Sequence, residues 1–498
     1  MLNSKGSRIP LFKVKVQEKG SIRDIKEMIV RIEGLPSCLN GQIVRMGEDV
    51  KGIIMGFDES SVLALALGDH GRLRLGQEVT GISEPFRIPV GEKLLGRMVS
   101  AMGDPCDHGG EIEADDQYPV LRDSVPLTGR SPIAGFVPTG TKIVDMLFPL
   151  AKGQRELILG DRMTGKTVLA VDAILTQKGR DVVCIYCCIG KSVSGLQKVL
   201  TVLHEHGSLE YTTVAAATDN APVGEQYLVP FAAAAMGEYF VSKGRDVLVV
   251  FDDLTKHAWA YRQLSLLMDR PPGREAYPGD VFYVQTQLME RAGNFAEEHG
   301  GGSMTFLGIA ETLQGDMTGY IPSNLVSMCD GQIYLSSTVF AEGMRPAVDL
   351  NLSISIVGGR VQPPILKELA RGLAADYARY TEILKLSRVS TGLSGESERI
   401  VRRGEAIRAM LAQDQNRPVP VAESALLLYA IRAGVLEQLN EAQKIQFRDG
   451  IYAYATQRDE QLIGDLNSAS GWTDALRERV RGLMQGYMRD QGGGPSES

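Results

Sequence analysis

Nowhere in the 498-residue chain do about eighteen apolar residues run together, so no stretch reads as a helix that crosses a membrane. The opening residues, Met1 to Arg8, hold no apolar signal core and no transit-peptide pattern, and neither kind of leader is expected. An excess of basic charge is missing too. Against 53 lysines and arginines stand 61 acidic residues, and the net charge of -8 argues against nucleic acid as the main partner. Cysteine is scarce, with six in all, which fits a reducing compartment. Cys184 and Cys187 form a C-x-x-C, but inside the apolar run 182–189, so they read as buried strand cysteines rather than a metal or redox pair. Internal repeats are lacking as well. What remains is the composition of a soluble globular chain, long enough for roughly two to four domains with ample cores.

The densest signal is Gly160-Asp161-Arg162-Met163-Thr164-Gly165-Lys166-Thr167. It has the form G-x-x-x-x-G-K-[ST] of a phosphate-binding loop. The apolar run 156–159 before it suits a buried strand, and 168–175 after it suits a packed helix, which is the context the motif needs. Glycines let backbone N–H groups turn toward phosphate oxygens, and the helix N-terminus adds a partial positive charge. Lys166 would reach the outer phosphates and Thr167 would offer its hydroxyl to Mg2+.

Around this loop the chain changes texture twice. Residues 20–88 carry short β segments at 28–32, 52–55 and 62–67 between turn clusters, the pattern of a small barrel or sandwich. From 89 to 363 strand candidates at 156–159, 182–189, 247–251 and 331–335 alternate with helical patterns, as in an α/β domain with a largely parallel sheet. Pro271-Pro272-Gly273 and Gly300 to Gly302 read as loops within it. From 364 to 490 helical periodicity takes over. Leu366, Leu369, Leu373, Tyr377, Tyr380 and Leu384 fall on one helical face, and similar patterns run through 398–412, 422–440 and 474–488. An N-terminal segment, 1–19, and a frayed tail, 491–498, complete the division.

A second nucleotide signal lies at 246–253, an apolar strand ending in Asp252 and Asp253, the ending that Mg2+ coordination through water requires. With it the sequence resembles the alpha subunit of F-type ATP synthases. The resemblance is carried by Gly153 to Thr167, Tyr261-Arg262-Gln263, Arg270 to Asp280, Asp330 to Tyr334, Arg345 to Val348 and Val357-Gly358-Gly359. It extends from Val30 to Leu35 near the start to Ala422 to Tyr429 in the last third.

The resemblance implies an N-terminal β-barrel, a central phosphate-loop (RecA-like) α/β domain and a C-terminal helical bundle. It also implies a hexameric ring in which alpha chains alternate with catalytic beta chains around a gamma-like shaft. The complex synthesises or hydrolyses ATP while translocating H+ or Na+. Such a chain would sit peripherally at the cytoplasmic face of a bacterial inner membrane, touching it only through the complex. In the family, alpha holds a nucleotide, ATP or ADP with Mg2+, without hydrolysing it. Carried over, residues 160–167 hold the phosphates, Thr167 and Asp253 lie on the Mg2+ side, and Gln413 and Gln415 match the adenine-pocket glutamines. Ser327 and Ser353 match positions that face the neighbouring beta site.

Departures from the family pattern are equally specific. Hydrolysis needs a carboxylate to orient the attacking water. Catalytic relatives place it after the glycine that ends the second strand; here Lys191 follows Gly190. Alpha subunits give the beta site an arginine in the pattern Ser-x-Ser-Arg-Val-Gly-Gly. This chain has Ile356 there, with Arg360 four positions on. Met163 replaces a glutamine. The segment before Gly20 lacks the amphipathic helix that grips the delta subunit, so a delta-like stator partner is not implied. The expectation is a regulatory, non-catalytic alpha subunit of a divergent F-type ATPase. The alternatives are a degenerate alpha paralogue serving as a structural or nucleotide-binding module, and a homohexameric RecA-like motor ATPase.

Overall fold

The computed structural model describes residues 18–47, 50–58, 60–68, 70–387 and 395–490; the expectations for the N-terminal segment before Glu18 and for the tail 491–498 lie outside them. The first six strands are β1 (Glu18–Lys26), β2 (Ile29–Gly34), β3 (Gln42–Met46), β4 (Val50–Phe57), β5 (Val62–Leu67) and β6 (Glu78–Pro85). They close a barrel in the order β1-β2-β5-β4-β3-β6, with β1 pairing antiparallel to β6. Strand alternation puts Val30, Ile32, Val44, Ile54, Ala64 and Val79 in the barrel interior. In β5 both faces are buried: Val62, Ala64 and Ala66 point into the barrel, while Leu63, Leu65 and Leu67 join the core of the next domain. This accounts for the unbroken apolar run at 62–67. Lys26 and Arg31 each reach Asp269 at 2.6 Å, and Arg270 Nη2 donates to the Met55 carbonyl at 2.9 Å, fastening the barrel to the α/β domain.

The α/β domain is built on a ten-stranded sheet. Its long parallel strands are β7 (Arg155–Gly160), β8 (Val182–Ile189), β9 (Thr212–Ala217), β10 (Asp246–Asp252), β11 (Ser303–Glu311) and β12 (Gly331–Leu335). They lie side by side in the order β12-β7-β11-β10-β8-β9. Helices α1 (Lys142–Leu147), α2 (Lys166–Leu175), α3 (Val193–Glu205), α4 (Val223–Ser242), α5 (Leu254–Leu267), α6 (Val281–Met289), α7 (Tyr320–Met328) and α8 (Ser337–Ala341) connect and cover the strands. Both faces are buried, and the two cores divide each strand by parity. In β8, Val183, Ile185, Cys187 and Ile189 face one core; Cys184, Tyr186 and Cys188 face the other. The C-x-x-C cysteines are thus free, fully buried thiols on a central strand, as expected.

The last third is helical: α9 (Pro364–Leu369), α10 (Leu373–Ser387), α11 (Gly395–Leu411), α12 (Val421–Arg432), α13 (Glu441–Arg458), α14 (Glu460–Ser468) and α15 (Asp474–Asp490). Its core is continuous with the second face of the sheet. Two expected helices are broken. The face running from Leu366 to Leu384 belongs to both α9 and α10, which separate at Gly372, a left-handed residue at φ +85°. The pattern at 422–440 stops at Arg432, before Gly434 at φ +71°, and resumes as a short 3-10 turn at Val435–Gln438.

Candidate functional site

Strand β7 delivers its last residue, Gly160, to the carboxyl edge of the sheet, where ligands bind in open α/β folds. A side chain at Gly160 is excluded, since a Cβ there would come within 2.5 Å of the Leu335 carbonyl. The loop then turns through Met163, left-handed at φ +63° and 92% exposed, and through Gly165 at φ +103°, the cap of α2. Asp161 anchors the turn by accepting from Thr312 Oγ1 at 2.7 Å and the Gly315 N–H at 2.9 Å. Thr164 Oγ1 donates to the Asp161 carbonyl at 2.9 Å, and Arg162 pairs with Glu311 at 3.1 Å.

Lys166 is buried, and its Nζ donates to the carbonyls of Gly160 and Asp161 at 2.8 and 2.6 Å. Burial lowers its pKa, a cost that phosphate oxygens in the loop would reverse. Beside the loop lies a cavity of about 430 Å³. Thr141, Val168, Phe340, Arg345 and Gln415 are among its lining residues. Its size and apolar walls suit a nucleoside base. Of the two expected glutamines, both line it, but they differ. Gln413 is locked into the frame: it accepts from the Lys142 N–H at 2.9 Å and donates to the carbonyls of Gly140 and Arg417 at 2.7 and 2.9 Å. Gln415 has no such clamp among the described residues.

On the other side of the loop the structure corrects one expectation. The carboxylate facing Thr167 is Asp252, not Asp253. Thr167 Oγ1 donates to Asp252 Oδ2 at 2.8 Å, as does the Tyr186 hydroxyl at 2.8 Å. Asp253 instead caps α5, accepting from the Lys256 N–H at 2.8 Å; burial and the charge of Asp252 push its carboxyl up to about 7. The reason is strand parity. Leu248 and Val250 of β10 face the core that holds α2, and Asp252 continues that row. That alternation was available in the sequence and would have selected Asp252.

Lys191 was expected to stand where catalytic relatives place the water-orienting carboxylate. Strand β8 pairs with β10 so that Cys188 lies opposite Asp252, and Lys191 follows three residues on. Its Nζ donates to Thr167 Oγ1 at 2.7 Å and to Asp252 Oδ2 at 2.6 Å. Thr167 and Asp252 are the two groups that would hold a Mg2+ in this kind of site, the carboxylate through water. Mg2+ demands near-ideal octahedral oxygen coordination and keeps several waters. With an ammonium bridging both oxygens, the residues present do not fit that ion.

At the edge of the sheet, Ile356 is 72% exposed and its backbone N–H donates to the Asp330 carbonyl at 3.1 Å. Ser327 is exposed on α7, with its hydroxyl turned to the Asn324 carbonyl at 2.6 Å. Ser353, expected to face a neighbour, is buried; it accepts from the Tyr334 N–H at 3.0 Å and donates to the Asp349 carbonyl at 2.6 Å. Its proton is thus committed inside the fold, to the Asp349 carbonyl. Arg360 is exposed in a short 3-10 turn.

Three family models match in sequence order. Residues 15–82 match the beta-barrel domain of the ATP synthase alpha/beta family, 140–355 its nucleotide-binding domain and 362–487 its C-terminal domain. The chain is 39% identical over 477 residues to the ATP synthase subunit alpha of Petrotoga mobilis, covering 95% of both chains. It is 40% identical over 467 residues to the ATP synthase subunit alpha 1 of Psychromonas ingrahamii, covering 94% of this chain and 90% of the relative. The subunit alpha of Clostridium acetobutylicum is 39% identical over 479 residues, 96% of this chain and 94% of its own.

Proposed function

The chain belongs to the ATP synthase alpha/beta family, and from that premise we propose that it is a non-catalytic, nucleotide-binding alpha-type subunit. It binds ATP or ADP and alternates with a beta-like catalytic chain around a gamma-like shaft, in a complex that couples ATP chemistry to ion movement. Among the described residues no helix is long and apolar enough to cross a membrane, which agrees with a place at the membrane periphery, reached through other subunits.

One observation carries the reading: a complete phosphate loop stands beside Lys191, where hydrolysis needs a carboxylate. Lys166 and the loop glycines can hold phosphates, and the base cavity adjoins them. An ammonium cannot orient and deprotonate the attacking water. The purified chain is therefore expected to bind ATP without steady turnover, and Lys166→Ala to abolish binding, as read by equilibrium dialysis and phosphate release. Continuous hydrolysis by the wild-type chain that disappears in Lys166→Ala would overturn the assignment. Co-expression with a beta-like chain, followed by light scattering, tests the ring. A stable homohexamer with no affinity for such a partner would favour the homohexameric motor instead. The exposed Ile356 favours a second reading, a paralogue kept for structure or nucleotide binding alone.

A further inference from the structure

We propose that the Lys191 ammonium replaces the divalent cation of this site, so that the chain holds a nucleoside di- or triphosphate without Mg2+. The proposal rests on the nucleotide-binding reading above and deepens it. Three donors converge on one oxygen: Tyr186 Oη and Thr167 Oγ1, each at 2.8 Å, and Lys191 Nζ, at 2.6 Å, all meet Asp252 Oδ2. The proton directions are consistent along the chain of contacts. Lys191 donates to Thr167 Oγ1 at 2.7 Å, and that hydroxyl gives its own proton to Asp252. Asp252 is 1% exposed, and a carboxylate buried to that degree needs donors such as these to offset its lost hydration.

Lys191 reaches this point because its backbone is held on both sides. The Gly190 N–H donates to the Ala217 carbonyl at 2.7 Å, and the Asp219 N–H donates to the Lys191 carbonyl at 2.9 Å. Ser192 then caps α3, accepting from the Gly195 N–H at 3.2 Å. The lysine thus stands on the fixed edge of the sheet, where its ammonium is a tethered charge. A metal placed on Thr167 and Asp252 would share its two oxygens with a second cation, which like-charge repulsion opposes. Two of the three ammonium protons serve these oxygens, and the third is left for a phosphate oxygen. Lys166 on the loop supplies the other positive charge. The site therefore carries two lysine ammonium groups in place of one lysine and a metal ion.

The test uses the full chain with radiolabelled ATP and ADP, dialysed to equilibrium in excess EDTA and in excess Mg2+. Wild-type dissociation constants are expected to differ by less than about threefold between the two conditions, whereas Lys191→Gln should bind about tenfold or more tightly with the metal than without. Mn2+ then replaces Mg2+, and its free concentration is read by electron paramagnetic resonance. Nucleotide bound to wild type should carry no Mn2+, and nucleotide bound to Lys191→Gln should carry one equivalent. The Mn2+ count on wild type stands even if the variant fails to fold. Stoichiometric Mn2+ on the wild-type complex, or wild-type binding that needs the metal, would overturn the metal-free site while leaving the nucleotide site intact. No nucleotide bound under either condition would overturn both readings together.

Discussion

Lys142 carries its ammonium into the seam between the α/β and helical domains, where Nζ donates to the Ala412 carbonyl at 2.6 Å. Burial pushes its pKa down to about 7, Arg448 and Arg417 adding to the shift while Glu423 and Asp449 oppose it. An unburied lysine titrates near ~10.4, so between about 7 and ~10.4 the unfolded chain holds a proton that the folded chain has released. Stability should rise with pH across that window, by up to about 1.4 kcal/mol per unit, and level off above it. Urea unfolding of wild type and Lys142→Met from pH 7 to pH 10 tests this. The wild type should gain on the variant as pH rises; parallel curves would rule the effect out. At this scale the sequence was legible where spacing carries the chemistry, as for Lys166 and Thr167. It misled where a choice between neighbours depends on which way a strand faces, as for Asp252 and Asp253. The reach of Lys191 to Asp252 needs the pairing of β8 with β10, which no local pattern contains.

Between elements, the contact of α10 with α11 sets glycine against its usual cost. Gly404 lies in α11, and a Cβ there would come within 2.0 Å of Tyr380 Cγ on α10. In an open helix alanine would gain about 1 kcal/mol over glycine. Here overpacking costs about 1–3 kcal/mol and acts on ring atoms close to the main chain, so Gly404→Ala should lower the melting temperature. Gly482, exposed on α15 with nothing within 4 Å of its Cβ position, should respond with the opposite sign. Circular dichroism melts of both variants decide; two shifts of the same sign would refute the packing argument. Elements with long apolar runs, such as β5 and β8, were readable. Strand β9, Thr212 to Ala217, is made mostly of alanine and threonine and gave no run to read. In β11 a glycine interrupts the pattern, and the reason is spatial: a Cβ at Gly308 would come within 2.8 Å of Leu254 Cδ1. Helices α9 and α10 keep one periodicity through Gly372, so their break is visible only in the backbone turn.

For the whole molecule the decisive residue is at the rim. In a mixed ring of the family's geometry, Ile356 leaves the neighbouring catalytic site without the arginine that stabilises the transferred phosphoryl group. Such a residue is worth roughly 10³–10⁵ in rate, which is about 4–7 kcal/mol of barrier. The charge develops in the transition state, so nucleotide affinity should change little. Ile356→Arg should therefore raise kcat of the reconstituted ring by orders of magnitude, and its exposure leaves room for the longer side chain. Fast wild-type turnover that collapses in Arg360→Ala would show instead that the neighbouring arginine supplies the charge. The three-part architecture was legible from texture, whereas texture alone left barrel or sandwich open and the family resemblance supplied the barrel. That choice turns on whether β1 meets β6, a pairing between segments some sixty residues apart that becomes visible only when the sheet closes.

That closure matters before any ring exists. A strand with unpaired N–H and C=O groups offers itself to whatever chain comes next, and a subunit made ahead of its partners is exposed to that risk for as long as it waits. With β1 hydrogen-bonded to β6 the barrel has no such edge to present. Newly made copies can accumulate without zipping together through their barrels. Contacts between such closed barrels are left to side chains and loops rather than to a shared sheet, so specificity at that end would be a matter of surface chemistry.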